Sequence, residues 1–130
     1  MDLRKGIYRR IYAGFIWGRR INSVPIDCEA WFWRLLVTAD DYGNLPADEA
    51  RLSAATKGFR HQLRDSEVVA MCASLEKAGL IVRYEVGGEA YFHLCDFLTL
   101  QPAMARNGKR VRRFAAYPGE GNEADMEVKP

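Results

Sequence analysis

Residues 65–97 read DSEVVAMCASLEKAGLIVRYEVGGEAYFHLCDF. Two periodicities meet inside this stretch, and their meeting point decides the fold. In the first half Val68, Cys72 and Leu75 recur at i, i+4 and i+7, with Val69 and Met71 beside them, which predicts one amphipathic helix. Asp65 or Ser66 is placed to cap it, Glu67 lies in its first turn, and Gly79 closes it. Beyond Leu80 the period falls to two. LIVRYEV and EAYFHL flank Gly87-Gly88, a pair that tolerates the positive φ of a two-residue hairpin turn. Leu80, Val82, Tyr84 and Val86 fall on one face of the first strand, with Ile81, Arg83 and Glu85 opposite.

Moving back along the chain, Pro25 suits the first turn of a helix, and Asp27 and Glu29 place negative charge at its positive end. Cys28, Phe32, Leu35, Leu36 and Ala39 share one face, so the helix is expected from Ile26 to Ala39. Trp31 and Trp33 make other faces apolar too, the mark of a central core helix. Positions two apart diverge by ~200°, so one of these tryptophans is expected at the surface, as a dimer or partner contact. The helix stops at Asp40-Asp41-Tyr42-Gly43, where Gly43 can adopt the left-handed conformation. NLP reads as a short extended link, ADEARLSAAT as a short second helix near 48–57, and KGFRHQLR as a loop. Near the start, IYRRIYAGFIW is rich in β-branched and aromatic residues and reads as an extended segment or edge strand.

Three helices followed by a hairpin is the order of a winged helix-turn-helix. The expected fold class is therefore α+β, mainly α. An extended arginine-rich segment occupies 1–22, the winged helix 23–100, a basic arm 101–118, and an acidic, disordered tail 119–130.

The runs RRIN-S-V, WFWRLL, ADDYG and LEKAGLIVRYEV with its glycine turn and YFHL strand, together with YRRIY and WG near the start, resemble one family in order and spacing. This is the N-terminal winged helix-turn-helix domain of replisome-organiser-like phage and prophage replication proteins, and the likeness runs from about Tyr8 to Pro118. It implies DNA binding at an origin or fork, in the cytoplasm of a bacterial host. It also implies the replicative helicase or its loader as a partner, since many relatives continue into a recruiting domain. Where relatives commonly carry W/F-x-x-H-Q, this chain reads Phe97-Leu98-Thr99-Leu100-Gln101, without the histidine.

Composition fits this reading. The 130 residues are 48% hydrophobic and 28% charged, as in ordinary globular domains. MDLRKG leads into arginines with no apolar h-region, and no run approaches the ~18 apolar residues of a membrane span, so a cytoplasmic protein is expected. Cys28, Cys72 and Cys95 are odd in number and have no C-x-x-C spacing, so buried apolar roles are favoured over disulfides or zinc. No nucleophile–base arrangement, phosphate loop or metal motif is evident, so binding rather than catalysis is expected, with no cofactor. The net charge of +2 conceals segregation: residues 1–64 carry 11 Lys/Arg against 7 Asp/Glu, residues 65–105 carry 2 against 6, and residues 106–113 carry 5 against none.

Candidate DNA-backbone contacts follow from that segregation. They are Arg9, Arg10, Arg19 and Arg20 in the first segment, Lys57, Arg60, His61 and Arg64 in the loop, and Lys109, Arg110, Arg112 and Arg113 in the arm. Phe59 among the loop cations is placed to stack on a base or to pack into the core. With Arg106 included, five arm contacts would give log K against log salt a slope of about −4 to −5. The third helix, the usual reader of the major groove, shows Glu67, Ala70, Ala73, Ser74 and Lys77 and lacks bidentate base readers. Asp40 and Asp41 face the negative end of a helix dipole, which costs a few tenths of a kcal/mol or more. Nearby cations (Arg9, Arg10, Arg19, Arg20, Arg34) or the N–H groups of the turn itself would offset this, so the pair and Gly43 are expected to be structural. Other classes of function remain open at this point: a protein-interaction module of a replication or phage–host complex, a homodimer, or a transcriptional regulator.

Overall fold

The computed structural model describes residues 8–48, 52, 63–102 and 109–121. They form an α+β body with a three-stranded antiparallel sheet. In chain order the elements are α1 (Ala13–Ile16), α2 (Arg19–Asn22), α3 (Ile26–Thr38), β1 (Asn44–Pro46), α4 (Asp65–Lys77), β2 (Ile81–Val86), β3 (Glu89–Leu94) and α5 (Phe97–Leu100).

Helix α3 is the centre of the core. Cys28, Phe32, Leu35, Leu36 and Ala39 are buried as the spacing predicts, and Trp31 is fully buried as well. Pro25 stands one residue outside as N-cap, and its carbonyl accepts from the Glu29 N–H at 3.0 Å. The tryptophan expectation is corrected here: Trp33 is half-buried against the core, and the exposed tryptophan is Trp17. The N-terminal segment covers the Phe32–Trp33 side of the helix, while Ile26, Ala30 and Val37 stay exposed on another. Phe15 stacks on Phe32 at 6.0 Å and meets Trp33 edge-on at 5.9 Å.

That N-terminal segment has no regular secondary structure from Tyr8 to Tyr12. It then forms the one-turn helices α1 and α2, not an edge strand. Aromatic and β-branched content favours a strand only where a neighbouring strand offers pairing, and the sheet order β1–β3–β2 leaves this segment out. The turn between the helices is tied by Asn22, whose Nδ2 donates to the carbonyls of Ile16 (2.6 Å) and Gly18 (2.7 Å).

Helix α4 buries Val68, Cys72 and Leu75. Its N-cap is Arg64, not Asp65 or Ser66, because the Glu67 carboxylate reaches back to accept the Arg64 N–H at 3.1 Å. At the other end Gly79 (φ 75°) closes a Schellman turn, with Leu80 N–H donating to Leu75 O and Gly79 N–H to Glu76 O. Strands β2 and β3 follow in register Tyr84↔Tyr91 and Val86↔Glu89, joined by Gly87 (φ 59°) and Gly88 (φ 81°) in a type I′ turn. NLP is more than a link. It is strand β1, pairing Asn44↔His93, Leu45↔Phe92 and Pro46↔Tyr91, and its edge position accommodates proline. Of the expected helix at 48–57, only Asp48 and Leu52 lie within the described residues; Leu52 is helical and buried, and its N–H donates to Asp48 O at 2.9 Å.

Candidate nucleic-acid interface

The turn after α3 is a junction of three chain segments. Asp40 is 1% exposed, and each of its carboxylate oxygens accepts two backbone N–H groups. Oδ1 takes those of Tyr42 and Asn44 at 3.0 Å, within its own turn. Oδ2 takes those of Arg113 (3.1 Å) and Phe114 (3.2 Å), from far along the chain. Asp41 accepts Val111 N–H at 2.7 Å and the Arg9 guanidinium at 3.2 Å, and its own N–H donates to Val111 O. Gly43 is needed twice over: its φ is +81°, and a Cβ there would lie 2.5 Å from Cγ of Phe97.

Arg9 is the clearest departure from the expected DNA contacts. Its side chain is 2% exposed, and besides Asp41 it donates to the carbonyls of Leu36, Ala39 and Asp40. Burial lowers its pKa, while the hydrogen bond and charge of Asp41 act the other way. It is a helix C-cap supplied from a distance and cannot reach a phosphate. The sequence shows an arginine near an acidic turn but not which of two adjacent arginines turns inward.

The basic arm, where described, is a docked strap. Arg110 donates to the carbonyls of Asp41 (3.0 Å) and Gln101 (2.6 Å). Arg112 lies 3.8 Å over the Tyr42 ring and pairs with Glu120, which raises its pKa. Arg113 donates to Thr38 O at 2.9 Å. Further along, Tyr84 Oη donates to Ala115 O at 2.6 Å, and Tyr117 stacks on the buried His93 with ring centres 4.2 Å apart. His93 in turn shares a 2.8 Å hydrogen bond with buried Asn44. Glu120 thus belongs to the body, while residues 122–130 of the acidic tail lie outside the described residues.

The remaining cations divide by surroundings. Arg20 pairs with Asp96 at 3.0 Å and donates to Gly79 O. Arg64 is exposed and makes a 3.4 Å contact with Glu67, a surface pair of little energetic weight. Arg10, Arg19 and Lys109 are exposed, and their side chains carry no hydrogen bond or ion pair among the described residues. Lys57, Arg60 and His61 lie outside the described residues, as does Phe59. The exposed positions of α4 are Asp65, Ser66, Val69, Ala70, Ala73, Glu76 and Lys77, with no arginine, asparagine or glutamine among them.

Gln101 was not singled out as a site residue although it closes the W/F-x-x-H-Q-like stretch. It is buried, accepts Arg10 N–H at 2.8 Å and donates to Arg10 O at 2.7 Å. Cys28 and Cys72 are buried, and burial raises the Cys28 pKa. Among the described residues no group of three or more His, Cys, Asp or Glu is placed to hold a metal ion, and no helix is long and apolar enough to cross a membrane. No family model matches this chain, and neither a curated protein nor a solved structure matches it.

Proposed function

We propose that this chain is a winged-helix DNA-binding protein of phage or prophage replication, gripping the sugar-phosphate backbone and doing no chemistry. One observation carries the reading. The elements run α3, β1, a helical residue at Leu52, α4, β2 and β3, with sheet order β1–β3–β2. That order supports a winged helix-turn-helix, with the hairpin as wing. Fold alone does not define function, so the cations matter. Arg10, Arg19 and Lys109 are exposed and their side chains have no hydrogen bond or ion pair among the described residues, which supports contact with an anionic polymer. The exposed positions of α4 carry no arginine, asparagine or glutamine, which supports backbone grip over base readout.

Fluorescence anisotropy with duplex and single-stranded DNA across a salt series tests this. Replacing Arg10, Arg19 and Lys109 together by Ala should make the duplex salt slope shallower by ~2.7, at ~0.9 per lost contact. Absence of binding to either form at low salt would overturn the reading. A second reading, a protein-interaction module docking a helicase, its loader or a host protein, is favoured by the 81% exposure of Trp17.

A further inference from the structure

Among the described residues, the exposed large aromatic rings, Tyr8, Tyr12 and Trp17, all lie in residues 8–19. Trp17 is 81% exposed, Tyr8 66%, Ile11 50%, Ile16 45% and Tyr12 37%. Large rings left in water so consistently need an explanation. The segment from Tyr8 to Ser23 holds four arginines and no acidic residue. Arg9 and Arg20 are neutralised by Asp41 and Asp96. Arg10 and Arg19, one on each side of the apolar run in sequence, have no acidic partner among the described residues.

This display is held from beneath. Buried Gln101 clamps both backbone polar groups of Arg10, leaving the guanidinium outside. Asn22 binds the carbonyls on either side of Trp17, fixing the turn that carries the ring. Phe15, between the two clamps, is anchored on Phe32 and Trp33. The exposed rings therefore stand on a rigid support, and little ordering cost remains to be met on binding.

We propose that this surface is a platform for single-stranded nucleic acid, a refinement that rests on the DNA-binding reading above. Unpaired bases stack on Trp17 and on the tyrosines, while Arg10 and Arg19 pair with flanking phosphates. Bases in a duplex already stack on each other, so exposed rings gain little from duplex DNA, whereas a single strand offers free base faces. Ile11 and Ile16 add apolar contact without base-edge discrimination, so binding should tolerate sequence. The two uncompensated guanidinium groups favour a polyanion over a second copy of the same cationic surface.

The test uses the full chain with an oligothymidylate of ~16 nucleotides, the upper end of single-module site sizes, and a duplex of equal length. The single strand should bind more tightly and quench tryptophan emission. Trp17→Ala should weaken single-strand binding by about tenfold, and Trp17→Tyr should restore most of it. Arg10→Ala with Arg19→Ala should make the single-strand salt slope shallower by ~1.4, at ~0.7 per contact. Melting temperatures should stay at the wild-type value. Duplex binding that equals single-strand binding and ignores Trp17→Ala would overturn the platform while leaving the DNA-binding reading standing. Failure to bind either form would remove both. Self-association in sedimentation that Trp17→Ala abolishes would reassign the surface to contact between copies.

Discussion

Asp40→Asn changes one atom and should nonetheless destabilise the whole body. Each carboxylate oxygen of Asp40 accepts two backbone N–H groups, one pair from Tyr42 and Asn44, the other from Arg113 and Phe114. Whichever way an asparagine amide is turned, its NH2 faces one of those donor pairs. Two N–H groups then lose their acceptor at a 1%-exposed site. An unsatisfied buried donor costs about 1–3 kcal/mol, so the variant should lose about 2–6 kcal/mol. At about 4 °C per kcal/mol for a domain of this size, the melting temperature should fall by ~8–24 °C. Thermal unfolding followed by circular dichroism measures this. Tryptic cleavage at Arg110, Arg112 and Arg113 should speed up in parallel, because the amide disturbs the strap. A melting temperature within ~2 °C of wild type would refute the junction argument. So would a variant that melts normally but loses DNA binding, which would place Asp40 in a ligand site.

Other outcomes follow from the same geometry. Gly43→Ala combines a left-handed φ with a 2.5 Å approach to Phe97 and should cost about 2–5 kcal/mol by urea titration. Arg9→Lys keeps the charge but cannot serve Asp41 and three carbonyls at once; stability should drop by about 2–4 kcal/mol while the salt slope of the proposed DNA binding stays unchanged. Tyr84 has its pKa raised, chiefly by burial. Its contribution to stability is therefore complete below the unfolded tyrosine value of ~10 and is lost as pH rises from there toward the higher folded value. Alkaline unfolding should set in above that point, and Tyr84→Phe should blunt it.

Local signals carried much of the architecture. The i, i+4, i+7 pattern of Val68, Cys72 and Leu75 marks α4, and Gly87-Gly88 marks the hairpin, because both depend on neighbours a few residues away. The partners of Asp40 are half local: Tyr42 and Asn44 lie within the turn and could be anticipated. Arg113 and Phe114 could not, being more than seventy positions distant. The same limit hid the strap, whose arginines look free in sequence and are in fact occupied by Thr38, Asp41, Gln101 and Glu120. The N-terminal segment misled for another reason. Its residue types suit a strand, yet the body offers it no strand to pair with, and Phe15 gains more by stacking on α3.

Because Asp40 and Asp41 gather Arg9 from one flank and residues 111–114 from the other, the body has no clean excision boundary. Cutting a minimal unit at residues 23–100, which holds the long helices and the hairpin whole, would strand two carboxylates without most of their partners. A trimmed version intended to isolate the hairpin should therefore be designed around that turn, with both flanks retained.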